Sequence, residues 1–106
     1  MDIAVNRQTV LLEILSIDNE MSAINRDRTY LTIKNNLIGL EKKKFGSSVT
    51  EVTSPDDFSK VLTLRSNSPK MRALISRYQE RRSEFEDELS RLQNRKTELK
   101  NRLFKR

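Results

Sequence analysis

Apolar residues recur at a 3-4-3-4 spacing through most of this chain. Counted from Ile3, the seam positions are Ile3, Arg7, Val10, Ile14, Ile17, Met21, Ile24, Arg28, Leu31, Asn35, Ile38, Lys42 and Phe45, nine of thirteen apolar. A second run, Met71, Ile75, Tyr78, Arg82, Phe85, Leu89, Leu92, Lys96, Leu99 and Leu103, is apolar at eight of ten. Spacing of this kind, kept over several heptads, puts apolar side chains on one stripe of a helix, as coiled coils require. Neither run contains proline, and Gly39 is the only glycine inside either, a local cost of about 1 kcal/mol against alanine. The pattern predicts helices over residues 3–45 and 69–104.

The segment between them contains one Ser-Pro step, Ser54-Pro55, and ends in a second, Ser68-Pro69. Serine caps a helix N-terminus, proline suits the first helical position, and Asp56 and Asp57 suit its positive end. Phe58, Val61 and Leu62 follow at i, i+3, i+4, so a short amphipathic helix is expected over residues 55–65. At two to three turns it is too short to stand alone in water and has to lie on something else. Residues 46–53 are rich in β-branched side chains and are expected to run extended as a linker.

Charge tests how the long helices pair. With Ile3 and Met71 set as d positions, an antiparallel register pairs Glu20 with Arg102, Asp27 with Arg95, Lys34 with Glu88 and Glu41 with Arg81. All four pairs are of opposite sign, and Asp18 faces Lys100. A one-heptad slip makes two pairs repulsive, and a parallel self-dimer sets Glu13 against Asp18. The expected fold is therefore all-α: an antiparallel two-helix coiled-coil hairpin with a short amphipathic helix in the connection. It forms a single elongated domain over residues 1–106, oligomeric or packed on a partner.

Two consequences follow from that register. Polar residues enter most middle layers, while Leu11, Leu15, Leu37 and Leu40 lie beside the seam and widen the apolar face beyond what two helices cover. The N-terminal stretch also overhangs, which singles out Ile3, Val5, Val10, Leu11, Ile14 and Leu15 as a protein-contact surface. Each feature has a plainer reading: in a shifted register the stripe packs internally, and Phe58, Val61 and Leu62 belong to the core.

Composition narrows the function classes. Hydrophobic residues make up 35% and charged residues 34% of the 106 residues, too little apolar matter for a wide globular core. The net charge of +6 arises wholly in residues 70–106. There Arg91, Arg95, Lys96, Lys100, Arg102, Lys105 and Arg106 form a basic patch suited to weak, non-specific nucleic-acid binding or to an acidic protein surface, unless carboxylates across the helices neutralise it. Few aromatic residues are left over to stack on bases.

Histidine and cysteine are absent, no glycine-rich phosphate loop is present, and the acids Glu84, Glu86, Asp87 and Glu88 are neighbours on a charged helix. No enzyme activity, cofactor, metal or small-molecule substrate is expected. No signal peptide or membrane span is expected either, which places the chain in the cytoplasm.

The reading is a structural or adaptor subunit that binds protein partners, or itself, through helical faces. The alternatives are a small helical chaperone or stalk-like component of a secretion machine, and nucleic-acid binding through the basic end. In size, basicity and hairpin pattern the chain resembles the flagellar and type III export stalk proteins. That resemblance is one of shape, with no motif matched, and the segment Ser54 to Arg65 departs from a plain hairpin. Prefoldin subunits also join two long helices through an intervening segment, a β-hairpin in their case and a helix by expectation here.

Overall fold

The computed structural model describes residues 3–43, 45, 46 and 48–104, with side chains from Arg7 onward. Its elements are α1 (Ile3–Asn25), α2 (Arg28–Lys43), β1 (Val49–Thr53), β2 (Val61–Arg65) and α3 (Pro69–Phe104). The expected all-α two-helix hairpin is thus corrected in two places: the first helix is two helices, and the connection is a β-hairpin. The chain divides into two compact units. Residues 1–27 and 85–106 make one, and residues 28–84 the other.

The first correction lies at Arg26 and Asp27. Arg26 N–H is shared between Ser22 C=O (3.1 Å) and Ala23 C=O (3.2 Å), and Asp27 N–H reaches Ile24 C=O (3.1 Å). Bonds to the third residue back tighten the last turn and end α1. The run Asn25-Arg26-Asp27-Arg28 offers no apolar face to bury, and aspartate directly before Arg28 suits the N-cap of a new helix. The heptad phase restarts there. In α2 the buried residues are Tyr30, Ile33, Leu37 and Leu40, not the expected seam of Arg28, Leu31, Asn35, Ile38 and Lys42.

The second correction replaces the helix expected over residues 55–65. β1 and β2 pair antiparallel from Val49↔Arg65 to Thr53↔Val61. The β-branched residues of 49–53 form a strand, and a strand has to pair its backbone groups; 61–65 is the partner. Asp56 and Asp57 serve a loop instead of a helix start. Ser54 N–H bonds Lys60 C=O at 2.9 Å, while Asp57 Oδ1 accepts from Ser59 N–H at 3.0 Å and Ser59 Oγ at 2.6 Å. An aspartate side chain that captures the backbone two residues on favours a turn. Arg77 grips the Asp56 carboxylate with Nε and a terminal nitrogen, which ties the loop to α3.

In the unit of residues 28–84, the buried apolar side chains are those of α2 together with Met71, Leu74, Ile75 and Tyr78 of α3. One polar cluster joins three elements. Tyr78, fully buried, donates its hydroxyl to Thr53 C=O at 2.7 Å and accepts from Asn36 Nδ2 at 3.2 Å. Its single proton is committed to the carbonyl, so the Thr53 hydroxyl 3.1 Å away donates to it. The start of α3 is fixed by Ser68, whose Oγ accepts from Met71 N–H at 3.1 Å, and by Asn67, which takes a positive φ of 58° in the preceding turn, a conformation asparagine tolerates.

In the unit of residues 1–27 and 85–106, Ile17, Leu92 and Leu99 form the buried cluster, with Val10, Ile14, Met21 and Ile24 packed against it. Every one of these lies on the 3-4 seam.

The Tyr78 cluster yields a stability prediction. Tyr78→Phe keeps the ring, strands the Thr53 carbonyl and takes from the Asn36 amide one of its two acceptors. It should cost about 1–3 kcal/mol in urea unfolding, whereas Gly39→Ala, whose added Cβ meets nothing within 4 Å, should stabilise by up to about 1 kcal/mol.

Candidate interaction surfaces

α1 carries apolar side chains on two sides. Val10, Ile14, Ile17, Met21 and Ile24 face the internal cluster. Leu11, Leu12 and Leu15 lie around the helix from that stripe, since each residue advances by about 100°, and they are 49%, 60% and 56% exposed. Of the six residues expected to form a contact surface, Leu11 and Leu15 are therefore open, while Val10 and Ile14 are partly buried inside the unit. The side chains of Ile3 and Val5 lie outside the described residues. Leu12 joins the exposed patch and was missed because it sits two positions off the seam.

The expected ion pairs are replaced by others. Arg95 binds Glu13 through Nε (3.2 Å) and a terminal nitrogen (3.0 Å), two heptads from the expected Asp27. Lys96 meets Asp18 at 2.5 Å, where Lys100 was expected. Arg102 bonds Glu98 at 3.4 Å instead of Glu20, and Glu88 bonds Arg91 instead of Lys34. Lys34 sits over the Tyr30 ring at 4.3 Å, Arg81 bonds Glu84 at 2.7 Å, and Glu41 accepts from Gln79 at 3.5 Å.

Glu13 and Asp27 occupy equivalent heptad positions, so charge discriminates poorly between registers two heptads apart. Each exposed pair is worth about 0.2–1 kcal/mol, whereas burying one Leu or Ile side chain is worth about 1.5–3 kcal/mol. The register that brings Ile17 to Leu92 and Leu99 wins on that scale.

The same pairs occupy most of the basic patch. Arg91, Arg95, Lys96 and Arg102 each hold a carboxylate; Lys100 is exposed without a described ion pair, and Lys105 and Arg106 lie outside the described residues. Hydrogen bonding to Glu13 raises the Arg95 pKa, and the bond from Arg91 holds the Glu88 carboxyl below its ordinary range.

Open grooves lie among the described residues of 28–84. One, of about 260 Å³, runs between α2 and β1 past Asn36, Gly39, Lys43, Glu51 and Tyr78. Another, of about 500 Å³, lies beside β2 and is lined by Leu62, Thr63, Leu64, Lys70, Ala73 and Leu74. Val61 (60%) and Leu62 (37%) of β2 are exposed.

Among the described residues, no group of three His, Cys, Asp or Glu side chains is arranged to hold a metal ion, and no helix is long and apolar enough to cross a membrane. No protein family, curated protein or solved structure matches this chain.

The hairpin loop supplies a pH test. The hydrogen bond from Arg77 lowers the Asp56 pKa, and bonds from Ser59 lower that of Asp57. Carboxyls depressed on folding lend stability above their unfolded pKa and lose it as pH falls through the folded one. Carboxyl-detected NMR titration should place Asp56 below a free aspartate in the wild type, and Arg77→Gln should move it back up while leaving Asp57 where it was.

Proposed function

We propose that this chain is a non-enzymatic helical adaptor subunit of a larger assembly and that it binds a partner protein through the leucine face of α1. One observation carries the reading: Leu11, Leu12 and Leu15 stand exposed together on a helix whose opposite stripe is already satisfied by Leu92 and Leu99. A contiguous apolar patch on a helix is suited to the apolar side of another helix. A cytoplasmic setting belongs to the same proposal, in keeping with a cysteine-free chain.

A chaperone role is the second reading, and one observation favours it. The segment between α2 and α3 is a β-hairpin, the connector that distinguishes prefoldin subunits from the helical connection expected here. Nucleic-acid binding is disfavoured, because four basic side chains of the patch are already engaged by carboxylates.

The test compares the wild type with Leu11→Ser/Leu15→Ser in affinity capture from the native source and in suppression of aggregation of an unfolded client. Both residues are about half exposed, so circular dichroism should be unchanged. Loss of a captured partner at constant fold is expected for the adaptor; loss of aggregation suppression without loss of a defined partner would favour the chaperone. Identical capture by both proteins would end the adaptor reading.

A further inference from the structure

The two edges of the hairpin differ in a way that points to an occupant. Ser54 N–H donates to Lys60 C=O and Ser66 N–H to Ser48 C=O at 2.8 Å, and both pairs lie on the register of the ladder. Antiparallel pairs alternate between bonded and non-bonded, so Thr50, Val52, Leu62 and Leu64 direct their backbone groups into the hairpin. Val61, Thr63 and Arg65 direct theirs outward from β2, as Val49, Glu51 and Thr53 do from β1.

On β1, the Thr53 carbonyl is taken by Tyr78 and a charge, Glu51, stands at the centre of the edge. On β2, the central residue is neutral, and no described hydrogen bond reaches the outward N–H or C=O of Val61 or Thr63. The Arg65 carbonyl accepts a turn bond from Ser68 N–H at 3.3 Å. No proline or bulge guards this edge.

We propose that β2 pairs antiparallel with β2 of a second copy of this chain, about a twofold axis at Thr63, to make one four-stranded sheet. In that register Thr63 faces Thr63, and Val61 faces Arg65 of the other copy. The three residues whose backbone groups point outward are then the three that bond. A one-residue slip would oppose them to Leu62 and Leu64, whose groups point inward.

On the other face of the strand, Leu62 meets Leu64 of the second copy, beside the groove lined by Lys70, Ala73 and Leu74, so the join covers apolar side chains that the single chain leaves open. Charge selects the same partner. Pairing β1 with β1 sets Glu51 against Glu51, and parallel pairing of β2 brings Arg65 beside Arg65, whereas the antiparallel β2 pair opposes no like charges.

This surface lies in a different unit from the leucine face of α1 and takes a different occupant, so either can fail alone. Sedimentation equilibrium of the full chain over a concentration series tests it. A reversible monomer–dimer equilibrium is expected in the wild type and in Leu11→Ser/Leu15→Ser. Thr63→Lys should raise the dimer Kd roughly tenfold or more by placing like charges at the axis, with circular dichroism intact because residue 63 faces Glu51 within the hairpin. Mixing Thr63→Lys with Thr63→Glu should restore the dimer. Should Thr63→Glu disturb the hairpin, Thr63→Pro, which removes an outward N–H and no bond of the β1–β2 ladder, tests the edge instead and should abolish association.

A monomeric wild type, a dimer that survives Thr63→Lys, or one lost only in the leucine variant would overturn the proposal. Growth beyond the dimer that persists in Leu11→Ser/Leu15→Ser would do the same, because with the leucine face removed it signals head-to-tail pairing of β1 onto β2.

Discussion

The hydroxyl of Tyr78 does for residues 28–84 what apolar packing alone does not. A two-stranded hairpin is marginal in water, and the helices beside it present apolar stripes that specify no strand position. The bond from Tyr78 to the Thr53 carbonyl fixes β1 at one point along α3, and the Asn36 amide fixes α2 to the same point. A buried ring with a single donatable proton leaves little freedom in how these groups arrange, and so turns a generic apolar contact into a specific one. The Asp56–Arg77 pair repeats the link at the loop end of the hairpin.

The residues 1–27 and 85–106 work on the opposite principle. Ile17, Leu92 and Leu99 are held by shape and burial, and the surrounding ion pairs of Glu13 with Arg95 and Asp18 with Lys96 fall where that packing leaves them. The hierarchy explains why charged residues are abundant here without setting the register. It also explains how α1 keeps three leucines in water: its apolar content exceeds what one facing stripe of α3 can cover.

Local signals in the sequence suffice where one element decides them. The seams of α1 and α3 gave the internal faces, and Ser68-Pro69 marked where α3 begins. Such signals mislead where a pattern crosses a boundary between elements. The heptad count ran through Arg26 and Asp27, where the helix restarts, so the buried face of α2 came out two residues off. Phe58, Val61 and Leu62 fit a helical stripe as well as a strand, and a run that short does not separate the two periods; the β-branched residues of 49–53, in need of a partner, were the signal that could have decided it. At the candidate surface, excess apolar content marks Leu11 and Leu15, whereas the ion-pair register points Val10 and Ile14 outward and burial, the larger energy, turns them in.

The grip of Arg77 on Asp56 has a consequence for the strand it leaves uncovered. A hairpin whose loop is fastened to a long helix has already given up much of its conformational entropy on folding. Whatever strand joins its open side meets a template that is set in advance, so the association loses less to ordering than it would with a loose ribbon. Preorganisation of this kind lets an edge of only five residues, Val61–Arg65, serve as a recognition element.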